Sequence, residues 1–360
     1  MELTRDRLGF YLQSAEMVNH YQAVWSHLPA GAFDVVVHEQ TSDHHRERIY
    51  ARCGALGIDV QEGAAVIASG ERYDVLVSHH PVAMDRGKQI VQRVGRRNVR
   101  FMYALGKAGW NFSPWNRIYD IILCFGPYQV DQLQFCEGSL LMQMGYPRFD
   151  SFYNVPIDRE AELRARGADP SKQTVVWLPT WSRLSSIDAY AETMSRLTAD
   201  YNVLLKVHPL SVESEPQRME RLRGLPFTQF IDEPEDNVPL YQLADFVVCD
   251  YGGPPFGAIY VDRNLLLLNV DGAVEDDVTG AQSPDIQIRG AIQSIQPGEA
   301  PSIAATLRDD SIWQAQKGLR FALRKALFAP FHGFSARVAA EILMRSDTLL
   351  ETIPGKHRRW

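Results

Sequence analysis

Short apolar runs alternate with longer stretches of helical periodicity along the whole chain. In the first half, apolar runs predict strands over 33–38, 73–78, 119–124 and 141–144. The same rhythm restarts after a polar stretch at 158–172, with strands predicted over 174–179, 201–207, 228–231, 246–249 and 265–269. Because these runs are largely apolar, they are typical of parallel strands covered by helices on both faces. The pattern therefore predicts two successive α/β units.

The stretches between the strands predict helices and, with them, the domain boundaries. Helices are expected over 43–56, where Asp43 is a candidate N-cap, and over 86–107, 128–137, 188–200, 238–244 and 255–262, followed by a helical tail over 301–347. We predict a first domain over 1–155, a second domain over 156–330, and a C-terminal helix within 331–360 that packs back on the first domain.

Polar residues are concentrated directly after four predicted strands, where ligands bind in parallel α/β sheets. In the first unit the pair His79-His80 follows a strand. In the second unit the candidates are Thr180, Ser182, Arg183, Lys206, His208, Asp250, Tyr251, Gly252 and Gly253. A turn, a cap or a hydrogen-bonded structural histidine would explain any one of them alone. Their joint occurrence at strand ends predicts two sites, one per unit, which face a common cleft if the two sheets oppose each other.

The residue types in the second unit indicate phosphate chemistry. Lys206 and His208 are two residues apart at a strand end, so both side chains point to the same side. Imidazole can hydrogen-bond a phosphate or transfer a proton near neutral pH. Gly252-Gly253 lies between a strand and a predicted helix, where glycine lets the backbone approach a ligand and a helix N-terminus attracts anions.

Composition restricts the class of protein. The chain has 360 residues, 45% of them hydrophobic and 22% charged, as in ordinary folded proteins. Its net charge of −7 is unfavourable for binding nucleic acid. No apolar run approaches the roughly 18 residues of a membrane span, and the N-terminal residues do not resemble a signal peptide. The cysteines are isolated, as in a reducing compartment. We therefore expect a cytoplasmic protein that binds no nucleic acid.

A basic stretch departs from the acidic balance of the chain. Between Arg86 and Arg117 there are eight cationic residues and no acidic one. One interpretation is contact with a polymer acceptor or an anionic membrane surface, which would place the protein at the inner face of the cell membrane; its candidate residues are Arg93, Arg96, Arg97 and Arg100. A solvated helix whose apolar residues pack inward explains the same residues equally well. The basic segment 356–360 is a further candidate for surface contact.

Four segments of the second half occur in the order found in a known family. They cover residues 177–181, 204–209, 236–245 and 248–253, with the sequences WLPTW, LLKVHP, DNVPLYQLAD and VCDYGG. They resemble the A-P-T-W segment, the L-K-x-H-P segment, and the T-D-Y-S-S segment with its preceding helix in the CDP-glycerol glycerophosphotransferase family, the polymerases and primases of teichoic-acid-like polymers. Residues 145–150 and 334–339 are similar to further elements of that family.

The resemblance implies a GT-B architecture, in which two Rossmann-like domains have parallel sheets facing a central cleft. It implies transfer of glycerol phosphate, or a related polyol phosphate, from a CDP-activated donor to a hydroxyl of a surface-polymer or lipid-linked acceptor, with release of CMP. His208 matches the histidine of L-K-x-H-P, and His79 or His80 matches by position the histidine of a W-H-G-T-P segment. These histidines are the catalytic candidates. No cofactor beyond the donor and no metal site is expected.

Two departures from the family pattern leave the donor open. The W, G and T of W-H-G-T-P are missing, and Gly252-Gly253 replaces two serines, so that phosphate binding would depend on backbone N–H groups. The first alternative is a GT-B glycosyltransferase that uses a nucleotide sugar. Such enzymes usually have an acidic residue near the end of the C-terminal domain that binds hydroxyls of the donor, and Asp271, Glu275 and Asp276 lie in roughly that region. Otherwise the acidic run at 275–277 is expected to be solvated. The second alternative is a non-catalytic nucleotide-binding relative.

Overall fold

The computed structural model describes residues 7–81, 84–85, 88–277 and 279–351. The chain divides into two compact units. Among the described residues, unit 1 comprises 7–103, 112–150 and 327–351, and unit 2 comprises 104–111 and 151–326. The short segment 104–111 thus belongs to unit 2, although the rest of the first 150 residues belongs to unit 1. Arg86 and the basic segment 356–360 lie outside the described residues.

The strands are short, with two to seven residues each. In chain order they are β1 Leu8–Leu12, β2 Phe33–Val37, β3 Val60–Glu62, β4 Tyr73–Ser78, β5 Met84–Asp85, β6 Lys88–Gln89, β7 Gly95–Phe101, β8 Ile121–Cys124, β9 Leu140–Gln143, β10 Thr174–Leu178, β11 Asn202–Lys206, β12 Gln229–Ile231, β13 Phe246–Cys249, β14 Asn264–Leu268 and β15 Ser294–Ile295.

Helices follow most of the strands. They are α1 Met17–Trp25, α2 Asp43–Ala55, α3 Gly63–Ser69, α4 Val91–Val94, α5 Ala108–Asn111, α6 Pro127–Gln132, α7 Asp150–Asn154, α8 Arg159–Ala165, α9 Ile187–Arg196, α10 Pro209–Ser214, α11 Pro216–Arg223, α12 Val238–Leu243, α13 Pro254–Tyr260, α14 Pro284–Gln287, α15 Ile303–Arg308, α16 Asp310–Leu327, α17 Ser335–Met344 and α18 Ser346–Glu351. Short 3-10 helices cover Pro114–Ile118, Pro147–Phe149, Ser182–Leu184, Leu197–Ala199, Ile288–Gly290 and Pro297–Ser302.

Each unit is built on one parallel sheet. The sheet of unit 1 has the order β3-β2-β1-β4-β7-β8-β9, and the sheet of unit 2 has the order β12-β11-β10-β13-β14-β15. Every pairing within these two sheets is parallel. When the strands are numbered within each of these sheets, both orders begin 3-2-1-4-5-6, which is the Rossmann order. In that order, ligands bind where the strand order reverses, beyond the carboxyl ends of β1 and β4 in unit 1 and of β10 and β13 in unit 2.

Apolar residues of the strands form the core of unit 2. Trp177 of β10, Val203 of β11 and Val248 of β13 are fully buried and pack with α9, α11 and α15. Because both faces of the sheet are covered, the strands contain few polar positions, as the sequence pattern indicated.

Several strands of unit 1 differ from the prediction. Residues 95–101 form β7, although 86–107 was predicted to be helical or partly helical, and β1, β3, β5 and β6 were not predicted at all. In β1, Gly9 allows a close approach: a Cβ there would lie 2.9 Å from the ring of Tyr73. The N-cap of α2 is Ser42, whose hydroxyl accepts the His45 amide at 3.4 Å, and not Asp43 as predicted.

A carboxylate holds α17 within unit 1. Asp150 is buried and accepts the amides of Ser335 and Ala336 at 3.2 and 2.6 Å. Gly145 has φ +77° and leaves room for Ser335, whose hydroxyl would lie 2.2 Å from a Cβ at that position. The two end segments noted for their family resemblance, 145–150 and 334–339, therefore contact each other.

None of the described helices is both long and apolar enough to cross a membrane.

Candidate functional site

The two histidines of unit 1 follow β4 and pack against each other. The ring centroids of His79 and His80 are 4.1 Å apart, and the rings are nearly perpendicular. His79 is buried, whereas His80 is partly exposed. His38 directly follows β2, which is separated from β4 by β1, and its Nδ1 shares a hydrogen bond of 2.9 Å with the Tyr11 hydroxyl. Of the two candidates for a base, His80 is therefore the one that solvent and a substrate can reach.

A buried arginine lies beneath this pair. The guanidinium of Arg100 donates from Nε to the His79 carbonyl at 3.4 Å, donates to the Asn116 side chain, and stacks 4.3 Å from the Trp115 ring. Burial, and secondly the charge of Arg100, lower the pKa of His80 to about 4. The pKa of His79 is also lowered, chiefly by burial. Both imidazoles are consequently neutral at pH 7.

The structure corrects the interpretation of the basic stretch. Arg100 is fully buried, so its predicted place on an acceptor or membrane surface is wrong. Arg97 forms an ion pair with Asp347, and Arg96 lies 3.7 Å from Asp74. Arg93 is partly buried. Because β7 is an inner strand of the sheet, its residues alternate between covered faces and do not form one cationic face.

A fully buried carboxylate organises the loops of unit 2. Asp250 Oδ1 accepts the amides of Thr180 and Tyr251 at 2.8 and 2.7 Å, and Oδ2 accepts the Ser186 amide at 2.7 Å. Burial raises its pKa, although the three amide donors act in the opposite direction. We predicted Asp250 as a donor ligand, but its oxygens are occupied, so that it positions the loops after β10 and β13 instead.

Tyr251 also lies inside the protein. Its side chain is 2% exposed, its hydroxyl accepts the Val270 amide at 3.3 Å, and the guanidinium of Arg289 stacks 3.9 Å from its ring. Its predicted contact with the donor is therefore wrong in this conformation. Arg289 was not predicted as a site residue; it donates from Nη2 to the Asp250 carbonyl at 2.7 Å.

The Gly252-Gly253 loop offers few backbone donors. Gly252 has φ +93°, a conformation that favours glycine. Its amide donates to Asp285 Oδ2 at 2.9 Å and is already used. The next two residues, Pro254 and Pro255, carry no N–H group. The expectation that phosphate binding depends on backbone N–H groups here is therefore reduced to one amide of residues 252–255, that of Gly253.

Lys206 is the last residue of β11, and His208 is the N-cap of α10 two residues later. His208 Nδ1 accepts the Leu210 amide at 3.2 Å, which places the imidazole proton on Nε2. The ring stacks on Trp181, with centroids 6.2 Å apart. Burial, followed by the charges of Lys107 and Lys206, lowers the pKa of His208 to about 3. Its Nε2–H group is therefore a neutral hydrogen-bond donor at pH 7.

The remaining candidates follow β10. Thr180 is 4% exposed, whereas Ser182 is exposed and has φ +60°. Arg183 Nε pairs with Asp276 at 2.6 Å, while the Arg183 side chain stays 69% exposed. The carboxylate of Asp276 is 4% exposed, so the expectation that residues 275–277 are all solvated is wrong for this residue.

Two residues of this region were not predicted as site residues of unit 2. Lys107 was counted in the basic stretch, but segment 104–111 lies in unit 2. Asp285 follows no strand, so the search at strand ends could not find it. The run Ser283-Pro284-Asp285, with a helix N-cap followed by proline, was the available signal.

Within the described residues, no group of three or more His, Cys, Asp or Glu side chains is arranged to hold a metal ion. The expectation that the protein needs no metal or cofactor stays a prediction.

A comparison with family models identifies the same resemblance as the motifs. Residues 134–272 match the model described as CDP-glycerol:poly(glycerophosphate) glycerophosphotransferase. This range extends from β9 to β14 and contains Lys206, His208 and the Gly252-Gly253 loop. The resemblance predicted from the sequence is thereby confirmed. A comparison with curated proteins finds no match.

Solved structures match almost the whole chain. A structure of the wall teichoic acid polymerase TagF with CDPG has a TM-score of 0.61 at 14% identity, covering 96% of this chain and 89% of that chain. Anabaena HepE in complex with UDP-glucose has a TM-score of 0.58 at 15% identity, covering 95% and 100%. A Rickettsia africae glycosyltransferase has a TM-score of 0.55 at 10% identity, covering 97% and 99%. Together with the two parallel sheets, these matches confirm the predicted α/β fold class of GT-B type.

Proposed function

We propose that the protein is a transferase that moves glycerol phosphate, or a related polyol phosphate, from a CDP-activated donor to a hydroxyl of a surface-polymer or lipid-linked acceptor. The observation that carries the proposal is the arrangement at the end of β11. There Lys206 lies two residues before His208, whose imidazole is neutral. The Leu210 amide bonds to Nδ1 of this imidazole, so its Nε2–H does not take part in that contact. The family match over 134–272 includes this arrangement.

In the proposed reaction, the acceptor hydroxyl attacks the phosphorus that carries the glycerol. A new P–O bond forms, and the bond between that phosphorus and the oxygen bridging to CMP breaks. His80 accepts the proton of the attacking hydroxyl, because it is neutral and partly exposed. CMP leaves with the electron pair of the broken bond. A histidine base of this kind contributes about 10²–10⁴-fold to the rate.

The groups of unit 2 stabilise the charge of the donor. Lys206 supplies a positive charge, and His208 donates a hydrogen bond from Nε2 to a phosphate oxygen. Arg183, whose side chain is 69% exposed although its Nε pairs with Asp276, adds a third donor. Positioned charge is the main contribution of a protein to phosphoryl transfer.

The location follows from the substrates. A nucleotide donor implies a reaction in the cytoplasm, and a lipid-linked acceptor would bring the protein to the inner face of the membrane. Arg93 and Arg96 remain candidates for contact with such a surface. The Arg96 side chain is 54% exposed beside Asp74, whereas Arg100 is buried and Arg97, which pairs with Asp347, is 26% exposed.

The second candidate function is a glycosyltransferase reaction with a nucleotide sugar. One observation favours it: Gly253 is the sole residue of the 252–255 loop with an amide left for a ligand, where the family has serine hydroxyls. The fold also matches HepE, whose structure contains UDP-glucose.

A release assay on histidine variants tests the proposed reaction. CMP release from CDP-glycerol is measured for wild type, His208→Ala, His80→Gln and the exposed-histidine control His27→Ala. We expect a loss of at least about 100-fold for His208→Ala and His80→Gln, since one loses a charge-stabilising donor and the other the base. The control should keep wild-type turnover. Unchanged turnover in His208→Ala would contradict the proposal.

A further inference from the structure

Segment 104–111 is fixed on unit 2 by backbone contacts on both sides of Lys107. The Lys107 amide donates to Asp285 Oδ1 at 3.2 Å, and the Ala108 amide donates to Ser283 Oγ at 3.2 Å. Leu105 is fully buried. Lys107 itself has φ +57°, a conformation that a lysine adopts only when its surroundings hold it there. The backbone of Lys107, from which its side chain extends, is therefore held in one conformation.

Asp285 connects this segment with the loop after β13. Its Oδ1 accepts the Lys107 amide, and its Oδ2 accepts the Gly252 amide at 2.9 Å. The residue is fully buried. The packing against Gly106 is close, because a Cβ at Gly106 would lie 2.2 Å from Asp285 Oδ1. One carboxylate thus sets the relative position of Lys107 and of the Gly252-Gly253 loop.

The ammonium of Lys107 acts on the same imidazole as Lys206. The charges of both lysines lower the pKa of His208, with Lys107 the larger of the two. In the described part of the chain, no carboxylate pairs with Lys107. Asp285 joins the Lys107 backbone to the Gly252-Gly253 loop, so two positive charges and a neutral N–H donor belong to the same part of unit 2 and form a candidate site for an anion.

We propose that Lys107 is a ligand of the donor's diphosphate, together with Lys206 and His208, and that Asp285 is the residue that positions it. The inference deepens the proposed function and rests on it. Lysine binds phosphate as a point charge, and a diphosphate has enough oxygens for both lysines and the His208 Nε2–H. Segment 104–111 therefore supplies a ligand that the motifs of the second half do not contain.

Calorimetric titrations test the assignment. Inorganic pyrophosphate, CDP and cytidine are titrated into wild type, Lys107→Met, Lys107→Arg and the control Lys317→Met, which changes an exposed lysine of α16. We expect Lys107→Met to weaken the binding of pyrophosphate and CDP by about 10- to 100-fold, as for a charge-assisted hydrogen bond. Cytidine binding should not change. Lys107→Arg should retain most of the affinity, and thermal unfolding should show that all variants are folded.

A second measurement separates the outcomes. In ligand-free protein, the pKa of His208 followed by NMR should rise in Lys107→Met and stay unchanged in Lys317→Met. If wild type and Lys107→Met bind CDP equally, the role of Lys107 is overturned while the proposed function stands. If pyrophosphate binding depends on Lys107 but no CDP-polyol is turned over, the role of Lys107 as a diphosphate ligand is supported, whereas the proposed function is wrong. Wild type that binds neither pyrophosphate nor CDP would overturn both.

Discussion

At the scale of single residues, both candidate sites keep their imidazoles neutral by burial and by neighbouring positive charge. The pKa of His80 is lowered to about 4 and that of His208 to about 3. A neutral imidazole can accept a proton at one nitrogen and donate from the other. The two histidines can therefore take different roles without differing in charge, His80 as acceptor and His208 as donor.

This state predicts an unusual pH profile. A group with a lowered pKa becomes charged only when the pH falls through that lowered value, so His80 stays competent as a base down to about pH 5. We expect kcat/KM for the donor, which reports the free enzyme, to show no acid limb between pH 5 and 8. A fall with a midpoint near 6.5, the ordinary value for histidine, would contradict this account of the histidine environment.

The buried charge of Arg100 should be measurable through the same profile. In Arg100→Met the pKa of His80 rises, so the acid limb of kcat/KM should move to higher pH. The variant should also lose about 1–3 kcal/mol of stability, because the buried Asn116 Oδ1 loses its Arg100 donor. Arg96→Met, which changes an exposed arginine, serves as the control and should leave the limb in place. An acid limb of kcat/KM at the same pH in both variants would show that Arg100 does not affect the pKa of His80.

Residue spacing predicted some of the site but not the packing around it. Lys206 and His208 could be identified because a period of two places both on one side of a strand end. Asp250 and Tyr251 occupy a similar position after β13, yet their side chains are buried under Arg289 and the loop amides. Whether a polar residue at a strand end faces a ligand or holds a loop depends on the neighbouring loops, which a single sequence does not show.

At the scale of elements, the contact between segment 104–111 and the loop after β13 depends on a glycine. In Gly106→Ala the new Cβ would meet Asp285 Oδ1 at 2.2 Å, so either the segment or the carboxylate must move. We expect the KM for the donor to rise about 10-fold or more, with the acid limb of His80 unchanged. Gly290→Ala, where a Cβ meets open space, is the matched control. Equal KM values for the two variants would show that this contact does not position the donor site.

The cap of α17 predicts a pH dependence of stability. Burial raises the pKa of Asp150 to about 6 from 3.8, so the ionised carboxyl is disfavoured in the folded state. Wild type should therefore gain stability relative to Asp150→Asn as the pH falls from about 6.5 to 4, by about 3 kcal/mol at most. Urea unfolding of both proteins at several pH values measures this difference. A difference that stays constant over the range would contradict the raised pKa.

Most elements were predictable from apolar runs, and the misses have physical causes. The strands β4 and β13 have the predicted bounds, because they are flanked by turns and polar caps. In β7, three arginines interrupt the apolar pattern, so the run resembles a charged helix. Its Arg100 is tolerated inside the sheet because Asn116 and Trp115 surround the guanidinium. In β1, Gly9 weakens the strand signal, although the position needs glycine for the contact with Tyr73.

At the scale of the whole molecule, both units have the same strand order, and each has polar residues beyond the point where that order reverses. The alternation of strands and helices predicted this architecture before any motif was considered. Membership of segment 104–111 in unit 2 was not predictable, because it depends on contacts with residues about 175 positions away, such as the bond between Ala108 and Ser283. Long-range insertions of this kind leave no local pattern.

The fold alone does not select the donor, because structures of this fold contain either CDPG or UDP-glucose. Nucleotide release across a panel of donors therefore tests the central claim most directly. The purified protein is incubated with CDP-glycerol, CDP-ribitol and UDP-, GDP- and CMP-sugars, with and without a polyol-phosphate acceptor, and free nucleotide is quantified. The account predicts CMP release from a CDP-polyol that is lost in His208→Ala. Release of UDP or GDP from a nucleotide sugar, with none from a CDP-polyol, would contradict it.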